Sequence, residues 1–349
     1  MASLALALAL FHRDLSNVLS SQIGGAGDAQ EYGWFLSWVP FALGHGLNPL
    51  VSTYLNHPDG VNLMWNTSVL LPSLLASPVT LIFGAAFSYN LLATLAPVLS
   101  STFAHMAFRR WAGPLPSFVG ALVFGFSPYM VAQSIGHLAQ ALLMSAPLLL
   151  VVVDRLLVVQ SSAPWRDGLL LGGLLWAQLL TGEEVLAMEA VAAFIGLTAA
   201  CLLGPREARS RLPYALKGCA VGGGLFAALS APFLAFQYFG PYRVQNVHPA
   251  NAYVSDLFNF FVPTNLMQLA PAAALRVSDR FTGNGVENDA YIGIPFLVLL
   301  VLAVLLARRR PATWVALAVG GGCALLSMGP TLHVLGNVTA IELPGYFLA

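Results

Sequence analysis

Apolar positions in this chain neither alternate with polar ones nor mark a single helical face; they run together. The stretches Ser88–Ala107, Leu115–Ile135, Leu138–Val153, Leu169–Gly182, Val185–Leu203, Gly218–Phe239, Tyr291–Ala307 and Ala312–Met328 are almost free of charge. They reach or approach the roughly 17–25 residues that carry a helix across a bilayer. Ala2–Phe11 is apolar over about half that length and lacks the basic n-region of a signal peptide, so it reads as the outer end of a first helix. Val69–Phe83 is short and contains Pro72 and Pro78, which predicts a broken interfacial or re-entrant helix and not a crossing one.

Composition agrees with the pattern. Hydrophobic residues make up 58% of the 349 positions and charged residues only 9%, against roughly 45–50% and 25% in soluble domains. The fold class expected is therefore all-α, a polytopic transmembrane bundle with long extracytoplasmic loops, bathed in membrane lipid. Net charge is zero, no nucleic-acid partner is expected, and the distribution of charge carries the information. Cys201, Cys219 and Cys323 all lie in apolar runs and predict packing rather than a disulfide framework or metal cluster.

Basic residues orient the bundle, because cytoplasmic loops collect Lys and Arg. If Val69–Phe83 does not cross, strict alternation places Arg109–Arg110, Arg155 with Arg166, Pro205–Lys217 and Arg308–Arg310 on one face. Eleven of the fifteen basic residues then lie inside. The opposite choice puts the later clusters outside. The outer face receives two long segments, 12–87 and 240–290, with the Ile135–Gln140 and Thr181–Glu184 turns and the tail after Gly329. The 240–290 loop is expected to pack over the first segment. Six of the seven histidines and most acids fall on this side.

Candidate chemistry gathers there. Asp28 stands among glycines in "GGAGDAQ", just before the aromatic run Glu31–Leu43, which has the spacing of an interfacial helix. Its local reading is an Asx-type turn or a helix N-cap. Its functional reading is a carboxylate brought close to a ligand by flexible glycines. The segment Gly44–Ser68 holds Asn48 and His57 and is long and polar enough to line a site. His137 begins a span and faces either a site or water. Glu183 and Glu184 form a turn between two spans. Glu287 and Asp289 make an acid-x-acid pattern that can bind a cation with sugar phosphates, although no metal or other cofactor is expected.

The order "GDAQ…W…LNP…HPDGVNLM" followed by a short broken helix resembles the GT-C superfamily of integral-membrane glycosyltransferases. "SDLFNFFVPTNLMQL" (Ser255–Leu269) and "ENDAYIGIPFLVLL" (Glu287–Leu300) are similar to its YfhO-type branch. The resemblance implies a polyprenyl-phosphate-linked sugar as donor, a glycan, lipid or protein of the cell envelope as acceptor, and inverting transfer outside a bacterial plasma membrane. A first-loop acid is the catalytic base in that superfamily, and Asp28 is the position that matches. Members usually continue with further spans, so residues 1–349 are expected to form one transmembrane module lacking a C-terminal part. The lipid-phosphate leaving group needs positive charge and hydrogen-bond donors. Arg243, close after a span, suits that role, with His248 assisting. Asn48, His57, His137, Glu184 and Glu287 are the candidate substrate-binding residues. Two other functions remain open, a transporter or flippase of a lipid-linked precursor and a non-catalytic subunit of an envelope-assembly complex; neither needs a base.

Overall fold

The computed structural model describes residues 1–349 apart from 26, 243–248, 250, 268, 284–286, 289 and 348–349. The chain forms two compact units. The first comprises Met1–Phe126, Gln133–Ala187 and Ser210–Gln245, and the second Ser127–Ala132, Met188–Arg209 and Asn246–Ala349.

In order, the helices are α1 (Ala2–Leu10), α2 (Asp28–Gly44), α3 (Leu70–Phe83), α4 (Ala85–Phe108), α5 (Pro114–Gly125), α6 (Pro128–Ser134) and α7 (Leu138–Ala141). They continue as α8 (Ser145–Asp154), α9 (Pro164–Leu179), α10 (Glu183–Leu203), α11 (Pro205–Phe239), α12 (Ala272–Ser278), α13 (Ile294–Ala307) and α14 (Pro311–Ser327). Two small antiparallel hairpins supply the strands: β1 (Val51–Ser52) with β2 (Val61–Asn62), and β3 (Thr331–Val334) with β4 (Asn337–Glu342).

The protein is mainly helical, and among the described residues four stretches are long and apolar enough to cross a membrane: α4, Leu138–Val159, α10 and α11. A fifth arises if α5 and α6, bent by 44°, count as one span. The other expected spans are shorter. α9 has 16 residues, α13 has 14 and α14 has 17. α13 is apolar throughout yet buries none of its residues, and neither does α14. Helices of that kind are stable only against an apolar medium.

α11 departs from expectation. Pro205–Lys217, read as a loop, forms the first turns of a single 35-residue helix. Pro205 occupies the first turn, where its missing N–H costs nothing. Glu, Ala, Arg and Leu then carry the helix through the polar stretch, since charge does not oppose helicity. α9 meets α11 through glycine. A Cβ on Gly168 would stand 2.4 Å from the Gly218 carbonyl oxygen, and one on Gly172 2.5 Å from that of Gly222. Close backbone approach of this kind is the usual result of paired small-xxx-small spacings.

Three of the arginines grouped on one face converge. Arg110 pairs with Asp154 at 2.8 Å and Arg155 with the buried Asp167 at 2.6 Å. Arg211 donates to the carbonyls of Leu157 and Val158, each at 3.0 Å.

The aromatic run in α2 turns inward. Phe35, Trp38 and Ala42 pack with Leu63, Val69 and Ala139, and Trp34 stacks on Trp38 at 5.3 Å. Val39, on the next face, meets Leu70 and Leu180. A helix lying flat on lipid would expose these rings. Here α3 and the hairpin cover them, so burial inside the protein stabilises α2. The hairpin is held in turn by α11. Asn62 Nδ2 donates to the Phe236 carbonyl at 3.1 Å, and Trp65 Nε1 to that of Gln237 at 2.9 Å. The Tyr242 ring fills the space beside Gly60, so residue 242, at the start of the 240–290 segment, lies against the 12–87 segment.

In the second unit, Asp256 is fully buried and accepts from the backbone N–H groups of Phe258, Leu335 and Gly336 at 2.8, 3.1 and 2.8 Å. One carboxylate thus ties the turn of the β3–β4 hairpin to the Leu257–Phe260 3₁₀ turn. Ser255 N–H also donates to the Ser327 carbonyl, at the end of α14.

Candidate active site

Asp28 is the first residue of α2, and Gly27 occupies the N-cap position with φ 94° and no side-chain cap. The capping role therefore does not hold for Asp28, whose carboxylate turns elsewhere. Its Oδ2 lies 2.8 Å from Nε2 of His137. Nδ1 of the same ring lies 2.6 Å from Oε1 of Gln133. With Gln133 presenting its carbonyl oxygen, Nδ1 is the ring nitrogen that donates to it, and Nε2 is the one turned to the Asp28 carboxylate. The first turn of α2 adds its partial positive charge at the same place.

Local sequence explains how the two meet. Asn90, buried in α4, accepts from Ile23 N–H at 2.8 Å and donates to the carbonyls of Val18 and Ser21 at 3.0 and 2.7 Å. That clamp fixes the loop ahead of Asp28. Gly24, at φ 89°, rests its backbone against Ile135, where any Cβ would collide with the Ile135 carbonyl oxygen. A Cβ on Gly136 would be 3.9 Å from Asp28 Cβ. Glycine on both sides brings the "GGAGD" loop onto the "IGH" turn.

Acids surround the pair. Burial pushes the Glu31 carboxyl above its ordinary range; Asn66 opposes this by hydrogen bonding, and Asp28 adds to it. The Tyr32 phenol is raised strongly, by burial first and then by the charges of Glu184, Glu31 and Asp28. Glu184 accepts from Gln140 Nε2. Glu183 accepts from Gln237 Nε2 at 2.8 Å, and the same amide donates to the Met64 carbonyl at 3.0 Å. A neighbourhood so rich in carboxylates disfavours a bound anion unless a cation accompanies it. Among the described residues no group of three or more His, Cys, Asp or Glu side chains is arranged to hold a metal ion.

A family model described as "Domain of unknown function (DUF6311)" matches residues 1–349. The chain belongs to the DUF6311 family. No curated protein and no solved structure matches it.

In this DUF6311 chain Asp28, His137 and Glu184 come to one neighbourhood, through Tyr32 and the Ile135–Gln140 turn. Asn48 and His57 have local roles. Asn48 Oδ1 accepts from Leu50 N–H at 2.9 Å, and His57 Nδ1 lies 3.3 Å from the Thr53 carbonyl oxygen. Glu287 belongs to the second unit. Arg243, His248 and Asp289 lie outside the described residues, and with them the phosphate-binding assignment and half of the acid-x-acid pattern. Sequence reasoning missed Gln133, Asn90 and Gln237. All three interrupt apolar runs, a signal that polar residues inside a span have partners.

Proposed function

We propose that this protein is a membrane glycosyltransferase of GT-C type, using a polyprenyl-phosphate-linked sugar on the extracytoplasmic side with Asp28 as general base. The observation that carries the reading is that Asp28 leaves its own helix terminus uncapped and takes His137 as partner. Its side chain is nevertheless 57% exposed, against 13% for His137. One carboxylate oxygen is thereby oriented while the group stays open to a second molecule.

In the proposed step the acceptor hydroxyl gives its proton to Asp28 as its oxygen bonds to the anomeric carbon. The bond from that carbon to the phosphate oxygen breaks, and the lipid phosphate departs with the electron pair. Attack opposite the leaving group inverts the anomeric centre. A positioned base contributes about 10²–10⁴-fold. Glu31, Glu183 and Glu184 disfavour a phosphate beside Asp28, so the donor's anionic end needs its own cationic seat, which Arg243 and His248 would supply.

The test uses the full chain in lipid with a radiolabelled polyprenyl-phosphate sugar. Asp28→Asn keeps size and hydrogen bonding but removes basicity. Donor binding should survive while transfer falls by about 10²-fold or more. Full transfer by the variant would move the base elsewhere. A wild-type protein that moves the lipid-linked precursor between leaflets without transfer, equally well as the amide, would establish the flippase reading.

A further inference from the structure

A cavity of about 200 Å³ opens within the second unit, lined by Thr264, Asn265, Ser278, Asp279, Phe281, Gly283 and Asn288. Thr264, Ser278, Phe281 and Asn288 are buried and form its floor, while Asn265, Asp279 and Gly283 stand exposed at its rim. Asn288 is only 6% exposed, and its Oδ1 has no hydrogen-bond partner among the described residues. A buried amide oxygen without a donor is unfavourable, and a ligand hydroxyl in the cavity would relieve it. Ser278 Oγ donates to the Leu275 carbonyl at 3.3 Å, which leaves its lone pairs as acceptors.

The lining chooses the ligand. It offers one carboxylate, two amides, two hydroxyls and one aromatic ring, so donors and acceptors are mixed and no cation is present among these residues. A phosphate or carboxylate would meet Asp279 with no cationic side chain among these lining residues to neutralise it. One carboxylate is too few for a divalent cation held mainly by protein. The volume is below the roughly 300–1,000 Å³ of pockets for larger ligands, which leaves room for a single ring. Phe281 presents an apolar surface to the C–H face such a ring possesses.

We infer that this cavity is a binding site for one neutral sugar ring, recognised through the free carbonyl of Asn288, the Asp279 carboxylate and the hydroxyls of Thr264 and Ser278. It uses no residue of the Asp28–His137 site and stands whether or not that site transfers sugar.

The experiment is saturation-transfer difference NMR on the full chain in nanodiscs, free of glycoside detergents that would occupy the cavity. The probes are D-glucose, D-galactose, D-mannose, L-rhamnose and N-acetyl-D-glucosamine. At least one should receive saturation. Asn288→Leu, similar in size but without the amide, should weaken that signal at least tenfold, Asp279→Ala should weaken it, and Asp28→Asn should leave it unchanged. If Asn288→Leu fails to fold, Asp279→Ala combined with Thr264→Val decides the same point. The inference is overturned if no probe binds, if binding survives the cavity substitutions, or if Asp28→Asn abolishes it.

Discussion

Nε2 of His137 lies 2.8 Å from Oδ2 of Asp28 across 109 positions of sequence. A hydrogen bond of that length fixes which oxygen of the carboxylate is turned outward, so in the proposed transfer His137 would act through Asp28. His137→Ala should lower kcat for sugar transfer by about 10-fold or more, the scale on which a misplaced catalytic group loses rate, with KM for the donor little changed. His137→Gln can still donate to Oδ2 and should recover part of the loss. Equal kcat for the two variants would show that the contact does not position the base.

How much of this site is legible in the sequence follows from what each residue does. Asp28 stands out because a charge among glycines in an apolar chain is conspicuous. His137 is visible as a candidate but not as its partner, since nothing local links position 28 to position 137. The link is made by Gly24 against Ile135 and by the Asn90 clamp, contacts between segments that share no periodicity. Apolar runs alone mark the four described stretches long enough to cross a membrane, and the bent α5–α6 pair; the runs at α9, α13 and α14 form shorter helices. The inward turn of Trp34 and Trp38 is not legible in this way, because an aromatic stripe looks the same whether lipid or protein covers it.

The α9–α11 contact gives a stability prediction with an internal control. A side chain on Gly172 would press on the Gly222 carbonyl oxygen at 2.5 Å and on Leu225 Cβ at 3.0 Å, whereas nothing lies within 4 Å of a Cβ on the adjacent Gly173. Gly172→Val should cost about 1–3 kcal/mol, as overpacking does, and Gly173→Ala should be near neutral or slightly stabilising. Thermal melting in detergent micelles compares the two. Equal melting temperatures would mean that the helices separate at no cost.

His333 predicts a dependence on acidity. The ring is fully buried in β3, Nδ1 sits 3.2 Å from Thr282 Oγ1 and Nε2 has no partner among the described residues. Burial lowers its proton affinity below the usual histidine value, and the Asp256 charge only partly restores it. A base depressed in the folded state contributes stability above its unfolded pKa of about 6.5, and that stability is lost as pH falls through the folded value. His333→Gln removes the titration. The melting temperature of the wild type should therefore fall relative to the variant between pH 7.5 and pH 5, and a constant difference would refute the assignment.

The orientation of the bundle turns on α3. Fourteen residues span about 21 Å at 1.5 Å each, short of the roughly 30 Å hydrocarbon core, and Pro78 lies inside the helix. At Gly84 the chain folds back, and Thr80 Oγ1 donates to Ser88 Oγ at 2.9 Å across the break. A helix of this length, returned at once into α4, fits a re-entrant or interfacial element, with α4 making the first crossing after it. Asp59 in the hairpin and Ser161 beside the Arg155–Asp167 pair would then lie on opposite sides of the membrane. Both positions are exposed, so single cysteines there, in a chain lacking Cys201, Cys219 and Cys323, can be labelled from outside with a membrane-impermeant maleimide. Asp59→Cys should react in intact cells and Ser161→Cys only after permeabilisation. Reaction of both from the same side would mean that α3 crosses after all, and the arginines grouped with Arg155 would then share the side of Asp28.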